Sequence, residues 1–216
     1  VVLVGLGLAA CQSGPPPSRV EQGDAALAAG EAERADALYV RALEEGTPEA
    51  ARALHGRARV AMPLRDPERA LRVHGDLARA HRAYWQDAAR ADYAEALFAA
   101  GRQRLVDGRA AEAVEALRAS RRVDPARAGL GGSLRKALCA HAEALAMHGR
   151  RDEALALFRE ALEVDPGAVG AYVGAAEILI GTGRKQEALA LLEVARRADP
   201  NDGRVRALTM EAMGLY

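Results

Sequence analysis

Histidine and cysteine side chains are the first candidates for catalysis or metal binding in this sequence, but their spacing suits neither role. His141 and His148 are seven residues apart, as are His74 and His81. Seven residues span about 10.5 Å along a helix, whereas two ligands of one zinc ion on a helix need i,i+4 spacing. Cys139 precedes His141 by two residues, so their side chains would point to different helix faces. We predict no catalytic residue, no metal site and no cofactor, and we expect His141 to be a hydrogen-bonded, partly buried histidine.

Two glycine-rich stretches could cradle a phosphate, but neither has the required pattern. The stretch GLGGS at 129–133 lacks the lysine placement of a P-loop. We interpret it as a loop, with Ser133 capping the helix that follows. The stretch GTGRK at 181–185 falls on a turn between two predicted helices. Both stretches are therefore predicted to be structural.

The first eighteen residues, VVLVGLGLAACQSGPPPS, allow two interpretations. Gly5 to Ala10 matches the G-x-G-x-x-A turn of a dinucleotide-binding unit, which must open a helix and lead to a second parallel strand. Pro15 to Pro17 disfavour that helix, because proline lacks the backbone donor and its ring clashes with a helix interior. The residues that follow are alanine-rich and have helical spacing. A signal sequence is the better interpretation.

Leu8-Ala9-Ala10-Cys11 resembles the lipobox of bacterial lipoprotein signal peptides, in which the cysteine sulfur receives a diacylglyceryl group. The resemblance implies a signal peptide at 1–10 and a proline-rich tether at 11–18, with acylated Cys11 binding the lipid bilayer. The basic n-region of such a signal is missing from the sequence. Gln12, in place of an aspartate, implies the outer membrane, with the protein facing the periplasm. The alternative is a frayed apolar terminus with an incidental cysteine.

The composition indicates closely packed helices. Half of the chain is apolar while only 4% is aromatic, alanine supplies most of the apolar residues, and no long run of Val, Ile and Thr occurs. Thirty acidic and thirty basic side chains are spread evenly and give a net charge of zero. No basic face attracts nucleic acid.

A repeat is the strongest signal in the sequence. Residues 137–166 align without gaps to residues 171–200, and 14 of the 30 positions are identical. A third copy ends at Pro125, where GRAAEAVEALRASRRVDP matches GRRDEALALFREALEVDP, and the insertion ARAGLGG at 126–132 follows it. Each copy predicts two helices that are joined at a turn glycine such as Gly149. The predicted core positions are Leu138, Ala142 and Leu145 in the first helix, and Ala154, Phe158 and Ala161 in the second.

This helix pair closely resembles the 34-residue tetratricopeptide repeat. The resemblance implies an all-α, right-handed superhelical solenoid of about four to five helix pairs and a C-terminal capping helix over residues 19–216. An N-terminal copy fits through Gly23, Gly30, Ala35, Tyr39 and Ala42. The clear repeats are 94–125, 133–166 and 167–200.

Two parts of this assignment rest on weaker patterns. Residues 48–93 are predicted to be a degenerate copy, in which the stripe from Leu77 to Phe98 indicates one long helix. Residues 201–216 predict the capping helix. Its inward side chains are predicted to be Val205, Leu208, Ala212 and Leu215.

In tetratricopeptide arrays the first helices line a concave peptide-binding groove. The groove positions of the family correspond here to Phe98, Arg102, Leu105, Val106, Cys139, Glu143, Met147, Val173, Glu177 and Ile180. Family members that grip C-terminal carboxylates use Lys and Asn in the groove, and the aligned acids Glu143 and Glu177 disfavour that ligand. The alternative is that Phe98, Leu105 and Ile180 serve ordinary packing between repeats.

The two resemblances together imply a membrane-anchored scaffold or adaptor that faces the periplasm in a bacterial cell-envelope assembly. Its partners would be unidentified proteins, such as components of pilus or outer-membrane assembly, and it would not be an enzyme. Two alternatives are open, because fold does not determine function. One is a cytosolic scaffold with a misread N-terminus, and the other is an envelope enzyme or glycan-binding accessory protein.

Overall fold

A computed structural model describes residues 15–215, in which every regular element is helical and no strand occurs. This confirms the all-α prediction. The predicted signal peptide and Cys11 lie outside the described residues. The chain divides into two compact units, an N-terminal unit that ends at Gln86 and a C-terminal unit that begins at Asp87.

The N-terminal unit contains two helix pairs and one short helix. Its elements are α1 (Arg19–Ala28), α2 (Ala32–Glu44), α3 (Ala50–Ala61), α4 (Pro67–Ala80) and α5 (Arg82–Tyr84). Ser18 begins α1 with a capping box, in which its hydroxyl accepts from the backbone of Glu21 and the Glu21 carboxylate accepts from the backbone of Ser18. Asp66 caps α4, and Pro67 occupies the first turn, where a missing backbone donor costs nothing. Residues 48–80 therefore form a full helix pair.

Tyr39 of α2 forms the centre of the N-terminal unit. It is fully buried, and its ring lies against Gly23 of α1 and Gly56 of α3, where a Cβ atom would collide with ring carbons. Its hydroxyl donates to the Asp24 carboxylate at 2.6 Å. Burial, followed by this hydrogen bond, raises the pKa of the Tyr39 phenol. Glycine at both positions lets three helices approach one ring.

The long helix predicted from Leu77 to Phe98 is wrong. Helix α4 ends at Ala80, because the backbone of His81 (φ −138°, ψ 59°) leaves the helical region. The chain continues through α5 and a π-helical segment, Trp85–Ala89. An apolar stripe predicts which face is buried, but it does not reveal a backbone break within the stripe.

The C-terminal unit contains three helix pairs and a final helix. Its elements are α6 (Arg90–Val106), α7 (Ala110–Val123), α8 (Leu130–Met147), α9 (Arg151–Val164), α10 (Val169–Gly181), α11 (Lys185–Ala198) and α12 (Gly203–Met213). Each helix packs against the next one along the chain, and the first helices α6, α8 and α10 also contact one another in that order. The turn glycines Gly108, Gly149 and Gly183 adopt φ near +77°, which glycine tolerates without strain. All six core positions predicted in residues 137–166 are buried.

Ser133 does not cap a helix, contrary to the prediction. Helix α8 begins at Leu130, and Gly129 is its N-cap with a left-handed backbone (φ 77°). Leu130 and Leu134 are buried, so the hydrophobic stripe extends the helix by one turn into the predicted loop. Ser133 therefore lies within the helix.

Helix α12 covers the last helix pair, and it contacts both α10 and α11. Val205 and Ala212 are buried, and Leu208 is partly buried against the core. The prediction that Leu215 points inward is wrong, because its side chain is 56% exposed. The helix ends at Met213, followed by left-handed Gly214 (φ 71°), so Leu215 does not share its periodicity.

Gly56→Ala is expected to destabilise the protein although alanine favours helices. Its Cβ would collide with Tyr39, which is held by Asp24, and overpacking of this kind costs about 1–3 kcal/mol. The matched control is Gly75→Ala in α4, where a Cβ meets nothing within 4 Å. This control should gain up to about 1 kcal/mol from helix propensity. Urea unfolding measures both, and equal stabilisation by the two changes would contradict the described packing.

Val205→Asp is expected to lower the melting temperature by several degrees, because Val205 is 1% exposed and a carboxylate there would be buried without a partner. Leu215→Asp adds the same charge at an exposed position and should change stability by less than about 0.5 kcal/mol. Thermal unfolding followed by circular dichroism compares the two. Similar melting curves for both variants would show that α12 does not stabilise the unit.

Candidate binding groove of the C-terminal unit

The first helices α6, α8 and α10 form one surface, which we call the groove. Each of them ends two residues before a turn glycine, so their C-terminal halves can be aligned position by position. Six residues before that glycine stand Arg102, Glu143 and Glu177. Two residues before it stand Val106, Met147 and Gly181. Val106 and Met147 are about four-fifths exposed, so two large apolar side chains face solvent on this one surface.

The first depression of the groove lies between α6 and α8 and has a volume of about 400 Å³. Its lining residues are Phe98, Arg102, Leu105, Val106, Ala128, Gly129, Ser133 and Lys136. The guanidinium groups of Arg102 and Arg127 lie 5.6 and 4.8 Å from the centre of the Phe98 ring. Arg127 also pairs with Glu95 at 3.2 Å. The depression therefore combines an aromatic and aliphatic wall with positive charge.

The second depression lies between α8 and α10 and has a volume of about 390 Å³. Its lining residues are Glu143, Ala146, Met147, Arg151, Phe158, Gly174, Glu177, Ile178 and Gly181. The buried Phe158 ring lies against Gly174, where a Cβ would collide with it. Gly174 and Gly181 contribute no side chain, so α10 leaves space above the Phe158 ring. This depression combines an apolar floor with two carboxylates and the guanidinium group of Arg151, so acids outnumber bases in its lining.

The two carboxylates of the second depression have different surroundings. Glu177 accepts from Arg204 of α12 at 2.9 Å, in an exposed ion pair. Glu143 is exposed and forms no ion pair with any of residues 15–215. Exposed ion pairs contribute little stability, typically under about 1 kcal/mol. A cationic ligand could therefore contact Glu143 directly and exchange with Arg204 at Glu177.

Seven of the ten predicted groove residues line one of the two depressions. Phe98, Arg102, Leu105 and Val106 line the first depression, and Glu143, Met147 and Glu177 line the second. Phe98 and Leu105 also pack against the core, as the alternative of ordinary packing proposed.

Three predicted groove residues line neither depression. Val173 is 1% exposed and belongs to the core, because α10 is buried over most of its circumference; its assignment to the groove is wrong. Cys139 and Ile180 are partly buried against the same core. Burial raises the pKa of the Cys139 thiol, which disfavours the thiolate that a nucleophile requires.

Sequence reasoning missed two charged residues of the groove. Lys136 lies one heptad before Glu143 on α8, a spacing that places both on the same face and could have identified it. Arg204 reaches Glu177 from α12, 27 residues later in the chain. No local pattern predicts that contact.

His141 differs from the prediction in one respect. Its ring is partly buried as expected, but its Nδ1 atom is buried without a hydrogen-bond partner. Burial is the main cause that lowers the pKa of His141, and Arg118 and Arg150 lower it further. The ring is therefore predominantly neutral at pH 7.

Within residues 15–215, no three His, Cys, Asp or Glu side chains converge to hold a metal ion.

None of the helices between residues 15 and 215 combines the length and the apolar character that crossing a bilayer requires.

Two tetratricopeptide repeat models match the chain, one at residues 20–73 and the other at residues 145–210, and together they span more than half of it. The second match includes every lining residue of the second depression except Glu143, and most of α12. A search of curated proteins found no match.

Several solved structures are similar to the chain. YrrB, described as a tetratricopeptide repeat protein with an unusual peptide-binding site, is 21% identical, with 88% of this chain and 89% of that chain covered and a TM-score of 0.44. A thermophilic tetratricopeptide repeat protein of Thermus thermophilus is 27% identical, with coverages of 91% and 98% and a TM-score of 0.37. PilF of Pseudomonas aeruginosa is 16% identical, with coverages of 91% and 82% and a TM-score of 0.42.

Proposed function

Because the chain belongs to the tetratricopeptide repeat family, we propose that it is a protein-interaction scaffold whose groove binds a segment of a partner protein. One observation carries the proposal. Val106 and Met147, two large apolar side chains that are about four-fifths exposed, occupy equivalent positions beside depressions on a single face. Contiguous exposed apolar surface with a charged rim is typical of sites that bind proteins.

The second depression indicates what such a segment contributes. Its floor of Phe158 and Ile178 suits an aliphatic side chain, and Glu143 and Glu177 at its rim suit a lysine or arginine. Glu143 is the principal acid, because Glu177 is already paired with Arg204. The partner segment is therefore apolar and carries at least one basic residue.

We also propose that Cys11 is acylated and anchors the protein in the bacterial cell envelope, with the repeats facing the periplasm. The lipobox-like sequence Leu8-Ala9-Ala10-Cys11 supports this proposal. The described chain begins with Pro15, Pro16 and Pro17, all exposed, and the first helix follows immediately after Ser18. A proline-rich stretch of this kind is a suitable semi-rigid spacer between a membrane surface and a folded unit. The scaffold would then serve the assembly of an envelope structure such as a pilus or an outer-membrane complex.

Glu143→Lys combined with Glu177→Lys is expected to weaken binding of a basic, apolar peptide by more than tenfold. Loss of a charged contact in a partly closed groove costs about 2 kcal/mol or more, and tenfold corresponds to about 1.4 kcal/mol. The probe is a leucine- and lysine-containing peptide, chosen for wild-type binding on a synthetic peptide array and then titrated by fluorescence anisotropy. Arg204→Ala should tighten binding of the same peptide, because it releases Glu177.

The matched control for this prediction is Glu33→Lys combined with Glu163→Lys. Both acids are exposed on second helices, so this variant has the same change in net charge outside the groove. It should bind the peptide within about twofold of wild type. Equal weakening by both double variants, or a wild type that selects no peptide, would contradict the groove as the binding site.

Cys11→Ser is expected to abolish membrane attachment, because it removes the only sulfur in the lipobox-like sequence. The full-length precursor is expressed in a Gram-negative host with labelled palmitate, and label and membrane fractionation are measured. Wild type should carry the label and sediment with membranes, whereas the variant should do neither. Cys139→Ser is the control and should behave as wild type. Equal labelling of wild type and Cys11→Ser would refute acylation at this position.

A further inference from the structure

We infer that the first depression is a subsite for an acidic side chain of the partner segment, so that the groove recognises an acid and a base in a defined order. This inference rests on the proposed function, since it concerns the same bound segment. In it, Lys136 binds an acidic residue of the segment, and Glu143 binds a basic residue further along the same segment.

The charge of the groove changes sign between its two depressions. The position six residues before the turn glycine is Arg102 in α6 but Glu143 and Glu177 in the next two first helices. The remaining lining is largely apolar, apart from Lys136 in the first depression and Arg151 in the second, where the two carboxylates outnumber it. Equivalent positions thus present a cation in one depression and anions in the other.

The cations of the first depression are available to a ligand. Neither Arg102 nor Lys136 forms an ion pair with any residue between 15 and 215, and both are exposed. Arg102 contacts the Phe98 ring, which holds its guanidinium at one wall without neutralising it. Arg127 contacts the same ring but is paired with Glu95, so it does not add to the available charge. Two unneutralised cations over an apolar wall favour a carboxylate on an apolar segment.

The distance along α8 sets the spacing of the two ligand charges. Lys136 and Glu143 are seven residues apart on this helix, which is about 10.5 Å and two turns, so both lie on the groove face. An extended peptide advances about 3.3 Å per residue. An acid and a base separated by about three residues in an extended segment therefore match Lys136 and Glu143.

A peptide fits this arrangement better than a nucleic acid or another polyanion. The uniform negative charge of a polyanion would meet Glu143 and Glu177 next to the cationic depression, and like charges in a groove are unfavourable. Phe98, Leu105 and Val106 also provide an apolar wall that a phosphate backbone does not use. The ligand is thus a protein segment with one acidic, one basic and intervening apolar residues.

The test is an array of acetylated and amidated leucine-rich peptides with one Glu and one Lys, at separations of one to eight residues and in both orders. Matched peptides have Gln in place of either charge. Wild type should prefer mixed-charge peptides in one order, with an optimum near three residues, and Glu→Gln in the peptide should weaken binding by about tenfold.

Arg102→Glu combined with Lys136→Glu tests whether these cations cause the preference. This variant should lose the preference for Glu and keep the preference for Lys. The control is Arg122→Glu with Arg206→Glu, two exposed arginines outside the groove, and it should behave as wild type. Arg102→Gln with Lys136→Gln provides a neutral version if the charge reversal fails to fold.

The possible outcomes separate this inference from the proposed function. Wild-type protein could bind Lys-containing apolar peptides equally well whether the peptide carries Glu or Gln. That result would leave the proposed function standing and overturn the acidic subsite. A Glu preference that survives in both variants at Arg102 and Lys136 overturns it as well. Wild type that binds no peptide on the array overturns both.

Discussion

The structure depends on large side chains of second helices that pack against glycines of first helices. Tyr39 of α2 lies against glycines of α1 and α3, and Phe158 of α9 lies against Gly174 of α10. Leu117 of α7 makes the same kind of contact with Gly101 of α6. A Cβ at any of these glycines would push two helices apart, so these contacts set the distance at which neighbouring helices pack. The same constraint shapes the proposed binding surface, because Gly174 leaves the space of the second depression open above the Phe158 ring.

The charged residues of the C-terminal unit fall into two groups with different consequences. The residue after each turn glycine is an arginine that pairs three residues later with a glutamate. These pairs are Arg109–Glu112, Arg150–Glu153 and Arg184–Glu187, at 2.5 to 2.6 Å. They are exposed, begin the second helices and neutralise themselves locally, so they contribute little to stability. The charges of Arg102, Lys136 and Glu143 on the first helices are not neutralised in this way. A molecule whose net charge is zero can therefore present a groove in which positive and negative side chains lie in different depressions.

The regular part of this fold could be predicted from the sequence, because the same hydrophobic pattern occurs in several copies that pack in the same way. The turn glycines and the core positions of residues 137–166 needed only helical periodicity. The prediction failed where one copy departs from the pattern. His81 breaks a helix through its backbone angles alone, and Ser133 lies in a helix because the insertion before it carries its own apolar residues.

The groove was harder to predict than the fold, because repeat alignment assigns a position to a face without measuring its exposure. Val173 occupies a groove position by alignment but is buried, because the buried residues of α10 lie on most of its faces. To predict the pairing of Glu177 with Arg204, one must know where α12 lies. No residue spacing within the repeats gives that position.

Helix α12 links the stability of the unit to its proposed binding surface. Val205 on its inner face closes the apolar core, and Arg204, the preceding residue, lies over the rim and neutralises Glu177. Successive residues on a helix point about 100° apart. Helix α12 can therefore bury Val205 and also place Arg204 beside Glu177, because it lies at the edge of the groove. A basic ligand residue that reaches Glu177 exchanges one exposed ion pair for another, which yields little net free energy. In the proposed function, selectivity for a basic residue therefore depends on Glu143, whose charge has no ion-pair partner among residues 15–215 to displace.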